Sequence, residues 1–112
     1  MKKIEAIIRL TQFDKVQNAL AGIGVNFFTL IDVKGYGLQK GEKMMYRGSV
    51  YGSKYIARLQ LDIFASDDKV EKIVKTIAFS ARTGDVGDGK ITVLSVDNIT
   101  RIRTGEIGES AI

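Results

Sequence analysis

The sequence predicts an α+β domain with the element order βαβ, long loop, βαβ. Three observations lead there. Apolar residues alternate with period two in several short segments, they recur at helical spacing in two others, and the middle of the chain is rich in glycine and charge with no period of either kind. Ile4, Ala6, Ile8 and Leu10 alternate with Lys3, Glu5, Ile7 and Arg9, so the first element reads as a strand. Thr11 and Asp14 have the spacing of a capping box. Phe13, Val16, Leu20 and Ile23 then follow a helical period, and Gly24 fits the residue just past the helix end. A second strand is expected from about Phe27 to Tyr36, where FFTLIDVKGY is rich in aromatic and β-branched residues.

From Gly37 to Lys54 the sustained pattern stops. A loop of this length inside a small domain is uncommon and usually functional or disordered. Ala57, Leu59, Leu61 and Ile63 alternate with Arg58, Gln60 and Asp62, which gives a third strand. Ser66 or Asp67 caps a second helix, whose buried stripe is Val70, Ile73, Val74, Ile77 and Ala81. Glu71 and Lys75 are spaced for an ion pair on its surface, and Gly84 is expected to end it. Ile91 to Val96 reads as a fourth strand, and the tail RIRTGEIGESAI has no clear period.

Two βαβ units joined by a long loop form the ferredoxin-like split βαβ arrangement, with both helices on one face of an antiparallel sheet. The other face raises a problem. Ile7 and Phe64 lie opposite their strands' main apolar sets, and strands two and four are apolar on both parities. Such a face calls for cover, and closed symmetric self-association is the usual form of it. The length of 112 residues fits one domain spanning 1–112.

Composition narrows the chemistry. The chain has no Cys and no His, which removes thiolate nucleophiles, the commonest general base and the commonest zinc ligands. Its net charge of +4 favours anionic partners such as nucleotides, phosphate or acidic metabolites. The cations are spread along the chain and no aromatic stacking platform is evident, so nucleic acid is not the expected partner. MKKIEAIIRL has no unbroken apolar core of a signal peptide, and no run approaches the roughly 18 apolar residues of a membrane span. A soluble, cytoplasmic protein is expected.

GDVGDGKI, Gly84 to Ile91, resembles a P-loop until its last residue, where Ile91 replaces the Ser or Thr that would hold magnesium. A P-loop also follows a strand and opens a helix, whereas this loop follows a helix and precedes a strand. Gly84, Gly87 and Gly89 can still turn backbone N–H groups toward one anion, with Lys90 beside them.

GLQKG and YRGSVY in the long loop, TGDVGDGKI after the second helix and RIRTGE near the end together resemble the PII signal-transduction proteins over essentially all 112 residues. The resemblance implies a homotrimer that binds ATP or ADP between subunits, and 2-oxoglutarate together with Mg-ATP. It also implies a long T-loop, here about 37–54, that docks on an ammonium transporter, an enzyme or a transcription regulator, with recruitment to the membrane when the partner is a transporter. Residue by residue, Gly87, Asp88, Gly89 and Lys90 would cradle the phosphates, and Arg101 and Arg103 from a neighbouring subunit's C-terminal segment, about 98–112, would reach them. Thr29 and Phe64 would lie near the adenine, and Gly37 would also line the nucleotide site. Gln39 would help hold magnesium, while Gln39, Lys40, Gly41 and Arg58 would meet 2-oxoglutarate. Arg47 would contact a partner protein, and Ser49 and Tyr51 stand at positions modified in some members. If their segment is extended, Arg101 and Arg103 share one side, as bidentate phosphate contacts would require.

This chain departs from the family pattern at several places. Arg58 replaces the usual Lys, with a larger, planar head. Leu38 replaces a common Arg, and Thr92 replaces the usual aromatic. Val50 and the GSK after Tyr51 alter the surroundings of the modifiable residues, so an unmodified loop is expected. Arg58 and Leu38 keep open a second reading, an adenylate-pool sensor that does not bind 2-oxoglutarate. A small ATP-hydrolysing enzyme is a reading of another class, with Gln39, Asp88 and Glu106 as its available groups.

Overall fold

The computed structural model describes the backbone of residues 1–38, 44–46, 49–51 and 53–112, and the side chains of 1–37 and 55–112. Strand β1 is Lys2–Ile8, α1 is Phe13–Gly22, β2 is Thr29–Leu38, β3 is Met44–Tyr46, β4 is Ser49–Tyr51, β5 is Ser53–Ala65, α2 is Asp67–Ala81 and β6 is Lys90–Ser95. Short 3₁₀ turns occupy Leu10–Gln12 and Gly108–Ala111. The main sheet has the strand order β2-β5-β1-β6 with antiparallel neighbours throughout, which is the ferredoxin-like architecture.

Register explains where the core lies. Ile4 faces Ile63, and Ala6 faces Leu61, across the central strand pair. These residues share one parity with Ile8 and Ala65, and all six are buried beneath Val16 and Leu20 of α1 and Ile73, Ile77 and Ala81 of α2. The stripes expected on both helices are the ones that pack, with Phe13, Ile23, Val70 and Val74 at their margins. The opposite parity carries Lys3, Glu5, Ile7, Gln60, Asp62 and Phe64. This open face is mixed. Ile31, Phe64 and Leu94 are 38–41% exposed around a charged centre in which Lys3 pairs with Glu5 at 2.9 Å and with Asp62 at 3.5 Å.

Several boundaries differ from the sequence expectation. β2 begins at Thr29, leaving Phe27 almost fully exposed in the connection. The stretch expected as loop from Gly37 to Lys54 is partly strand: Gly37 pairs with Lys54, Leu38 pairs with Ser53, and β3 and β4 form a separate antiparallel ribbon. Backbone pairing needs no apolar alternation, so the sequence pattern hid it. Thr11 caps nothing. It lies in the 3₁₀ turn, and the cap position of α1 is Gln12, whose amide instead donates to the Ser80 carbonyl of α2 at 3.3 Å. Gly84 does not terminate α2. The helix stops at Ala81, and Arg82 is already extended. Gly24 does what was expected of it, accepting a φ of 85° just past α1.

Candidate anion site between α2 and β6

Thr83 to Gly89 carries the chain from the helix layer across the end of β1 to the open face of the sheet. Gly89 must be glycine. A Cβ there would stand 1.8 Å from the Ile7 carbonyl oxygen, and its φ is +99°. Gly87, at φ +101°, passes beneath two guanidinium groups: a Cβ on it would meet Arg58 at 3.1 Å and Arg9 at 3.2 Å. Arg58 lies two residues before Gln60 on β5, and Arg9 directly follows β1, so antiparallel pairing brings them to the same end of the sheet. Lys90, opposite Ile7, opens β6 at that end and is exposed. A cleft of about 280 Å³ lies beside the loop, lined by Ile77, Ala81, Arg82, Gly89, Lys90 and Ile91 among others.

The loop is closed by side chains. One Asp88 oxygen accepts the N–H of Thr83 and of Gly84, both at 2.9 Å. The other accepts the Thr83 hydroxyl and the Arg9 Nε–H, the latter at 3.0 Å. A second Arg9 nitrogen donates to the Val86 carbonyl at 2.7 Å. The Thr83 hydroxyl, the Gly84 N–H, Arg9 and the Thr83 N–H hold the Asp88 carboxyl well below the usual carboxylate range. The N–H groups of Gly87, Asp88 and Gly89 have no partner among the described residues. The anionic cradle expected of the three glycines is therefore divided. The amides of Thr83 and Gly84 hold an internal carboxylate, while those of residues 87–89 remain available beside two guanidinium groups.

Other expected site residues fall into separate groups. Thr29 pairs with Asp62, and Phe64 pairs with Lys3, so both occupy the open face at the end away from Lys90. Gly37 pairs with Lys54, four positions along β2 from the Val33–Arg58 pair. Arg101 and Arg103 do not lie on an extended segment. Residues 102–104 form a turn closed by the bridge between Thr100 and Ile107. Arg101 donates to Glu106 at 2.9 Å and to the Ile112 backbone oxygen at 3.2 Å, and Arg103 is exposed. This segment departs from the end of β6 opposite Lys90, where Val96 bonds to Met1. Gln39, Lys40, Gly41 and Arg47 lie outside the described residues, as do the side chains of Leu38, Ser49 and Tyr51. Sequence reasoning missed Arg9, which looked like one more polar residue of an alternating strand. Its only signal was its place at the strand end, which becomes informative once β1 and β5 are known to be neighbours.

The fold is that of a ferredoxin-like domain, with a glycine-rich loop between α2 and β6. A family model described as nitrogen regulatory protein P-II matches residues 1–106. Nitrogen regulatory proteins P-II of Pyropia yezoensis and Klebsiella oxytoca are 46% and 45% identical to this chain over 112 residues, covering all of both sequences in each case. The crystal structure of Arabidopsis thaliana PII bound to citrate superposes with a TM-score of 0.80 at 38% identity, covering 98% of this chain and 87% of that one. The chain belongs to the nitrogen regulatory protein P-II family, whose members are signal-transduction regulators acting through protein partners. Among the described residues, no helix is long and apolar enough to cross a membrane.

Proposed function

We propose that this chain is a single-domain, non-catalytic, cytoplasmic sensor that assembles as a homotrimer. It binds ATP or ADP between subunits, takes up 2-oxoglutarate with Mg-ATP, and signals through the T-loop to a protein partner such as an ammonium transporter or a nitrogen-metabolism enzyme. The observation that carries this reading is Gly87, seated beneath Arg9 and Arg58 with unpaired amides on the same loop and Lys90 at the same sheet end. Converging cations and backbone N–H groups suit a polyphosphate or a dicarboxylate. The cleft of about 280 Å³ is just below the range usual for small-molecule sites, Thr29 and Phe64 lie at the other end of the open face, and Arg101 and Arg103 follow the end of β6 opposite Lys90. These facts favour a site completed by a neighbouring copy. Magnesium would be held by Gln39 and the nucleotide phosphates, and would supply charge neutralisation there.

The non-catalytic reading is favoured by the carboxylates. Asp88 is fully engaged by its own loop and Arg9, and Glu106 is paired with Arg101 through one oxygen, so both carboxylates already have structural partners. Titration calorimetry with ATP, ADP and AMP, each with and without magnesium and 2-oxoglutarate, tests the proposal. ATP and ADP are expected to bind more tightly than AMP, and 2-oxoglutarate only with Mg-ATP. Light scattering is expected to give three times the 12.3 kDa chain mass. A monomer would overturn the shared site.

One observation favours a second reading, an adenylate sensor without 2-oxoglutarate. The Arg58 guanidinium lies against Gly87 of the loop itself and donates to its own neighbour's carbonyl, Ala57, at 3.0 Å. There it can serve a phosphate in place of a dicarboxylate. Gain of 2-oxoglutarate binding in Arg58→Lys, absent in the wild type, would select this reading.

A further inference from the structure

We propose that Asp88 is a positioning residue, the resident anion around which the loop is built, and that its carboxylate holds the amides of residues 87–89 open for a ligand without touching that ligand. The inference rests on the nucleotide reading above only for the identity of the ligand.

The geometry assigns the carboxylate four donors. Two are backbone N–H groups, of Thr83 and Gly84, one is the Thr83 hydroxyl and one is Arg9 Nε. A carboxylate accepts about four hydrogen bonds in good geometry, so this one has little capacity left. It is also the wrong charge to meet a phosphate. What it does is fix both ends of the turn. Thr83 and Gly84 are pinned at the entry, Asp88 itself marks the exit, and Arg9 is drawn in so that its second arm can hold the Val86 carbonyl. Within the segment between them the Asp85 N–H turns back to the Thr83 hydroxyl at 3.2 Å, while the N–H groups of Gly87, Asp88 and Gly89 have no partner among the described residues. Arg9 is thereby placed 3.2 Å from the Cβ position of Gly87, next to Arg58 at 3.1 Å. Two guanidinium groups at one glycine repel each other, and the Asp88 carboxylate paired with Arg9 offsets part of that repulsion.

A positioning role and a purely electrostatic role predict opposite signs for removal of this carboxylate. Removing a carboxylate from the edge of an anion site should strengthen anion binding if the group acts only through its charge. If Asp88 positions the loop, Asp88→Asn weakens binding, because the amide keeps one acceptor oxygen and cannot hold all four donors.

Calorimetry on the full chain with ATP and with AMP reads the effect. Asp88→Asn and Thr83→Val are each expected to weaken ATP binding by about tenfold, the size of one lost charge-assisted hydrogen bond, with AMP changed by less than about twofold. Thr83→Ser keeps the hydroxyl and is expected to restore ATP affinity to within about twofold. Tighter ATP binding by Asp88→Asn, equal losses for ATP and AMP, or no rescue by Thr83→Ser would overturn the proposal. Amide hydrogen exchange without nucleotide supplies an arm that does not depend on the ligand. Asp88→Asn is expected to speed exchange at Thr83 and Gly84 by about tenfold while core amides are unchanged. Unchanged exchange at those two amides overturns the positioning role. Failure of the wild type to bind any adenine nucleotide overturns the nucleotide reading, and the exchange measurement still decides the role of Asp88.

Discussion

The chain turns from a helix into a strand twice, and the two turns are built differently. After α1, Gly24 donates to Ala21 at 3.0 Å and Val25 donates to Leu20 at 2.9 Å, which is a Schellman closure made of backbone alone. One left-handed glycine suffices, and Val25 packs against the core. After α2, three glycines with φ between 94° and 101° are accompanied by Asp88, Thr83 and Arg9. The first turn is closed by its own backbone, with Gly24 and Val25 both donating to α1 carbonyls. The second satisfies its entry amides with a side chain and leaves its later amides open. A loop that only had to reverse direction would not need the second construction.

That contrast can be broken most forcefully at Gly89. Gly89→Ala forces a Cβ to within 1.8 Å of a backbone oxygen at a positive φ, and is expected to cost roughly 3 kcal/mol or more in urea unfolding. A small loss would mean the loop is not seated on β1 as described. Lys90→Ala is expected to leave stability nearly unchanged and to weaken ATP binding by about tenfold, with a smaller effect on AMP. Equal effects on both nucleotides would remove Lys90 from the phosphates. Gly24→Ala meets no atom within 4 Å, so only its left-handed backbone matters. It is expected to cost about 1 kcal/mol and to leave ATP affinity alone. A change in affinity would show that the two turns are not independent.

Acid separates the turns further. The Asp88 carboxyl has a folded-state pKa below its unfolded value, so its stabilisation is present above the unfolded value and is lost as pH falls through the folded one. The stability difference between wild type and Asp88→Asn should thus be constant above about pH 5 and shrink in stronger acid. The backbone bonds that close the first turn involve no titratable group, so the difference between wild type and Gly24→Ala should not follow pH. Urea midpoints across an acid series measure both.

Much of the fold was legible because apolar alternation and helical stripes are direct consequences of one-sided burial. Ile4, Ala6 and Ile8, or Ile73 and Ile77, announce their faces without help. The paired ends of β2 and β5 were not legible, since Gly37, Lys54 and Ser53 pair by backbone with no apolar pattern. At the site, the glycine spacing and Lys90 could be read directly. Arg9 could not, because its meaning depends on which strand lies beside β1. The turn at 102–104 was missed for a related reason. RIRTGE has no period from which a turn could be read, yet Gly105 donates back to Arg101 at 2.8 Å and Arg101 itself is held by Glu106.

Arg9 belongs to the first βαβ half and Asp88 to the second, 79 positions apart in sequence. Its other bond, to Val86, spans 77 positions. The loop is therefore a seam between the two βαβ units, and neither unit can assemble it alone. Occupancy of the loop and integrity of the whole domain are thermodynamically linked, since a ligand bound only when the seam is closed stabilises everything the seam joins. A regulator built this way would unfold cooperatively at a higher temperature whenever its effector is abundant, and its lifetime in the cell would itself carry information about that effector.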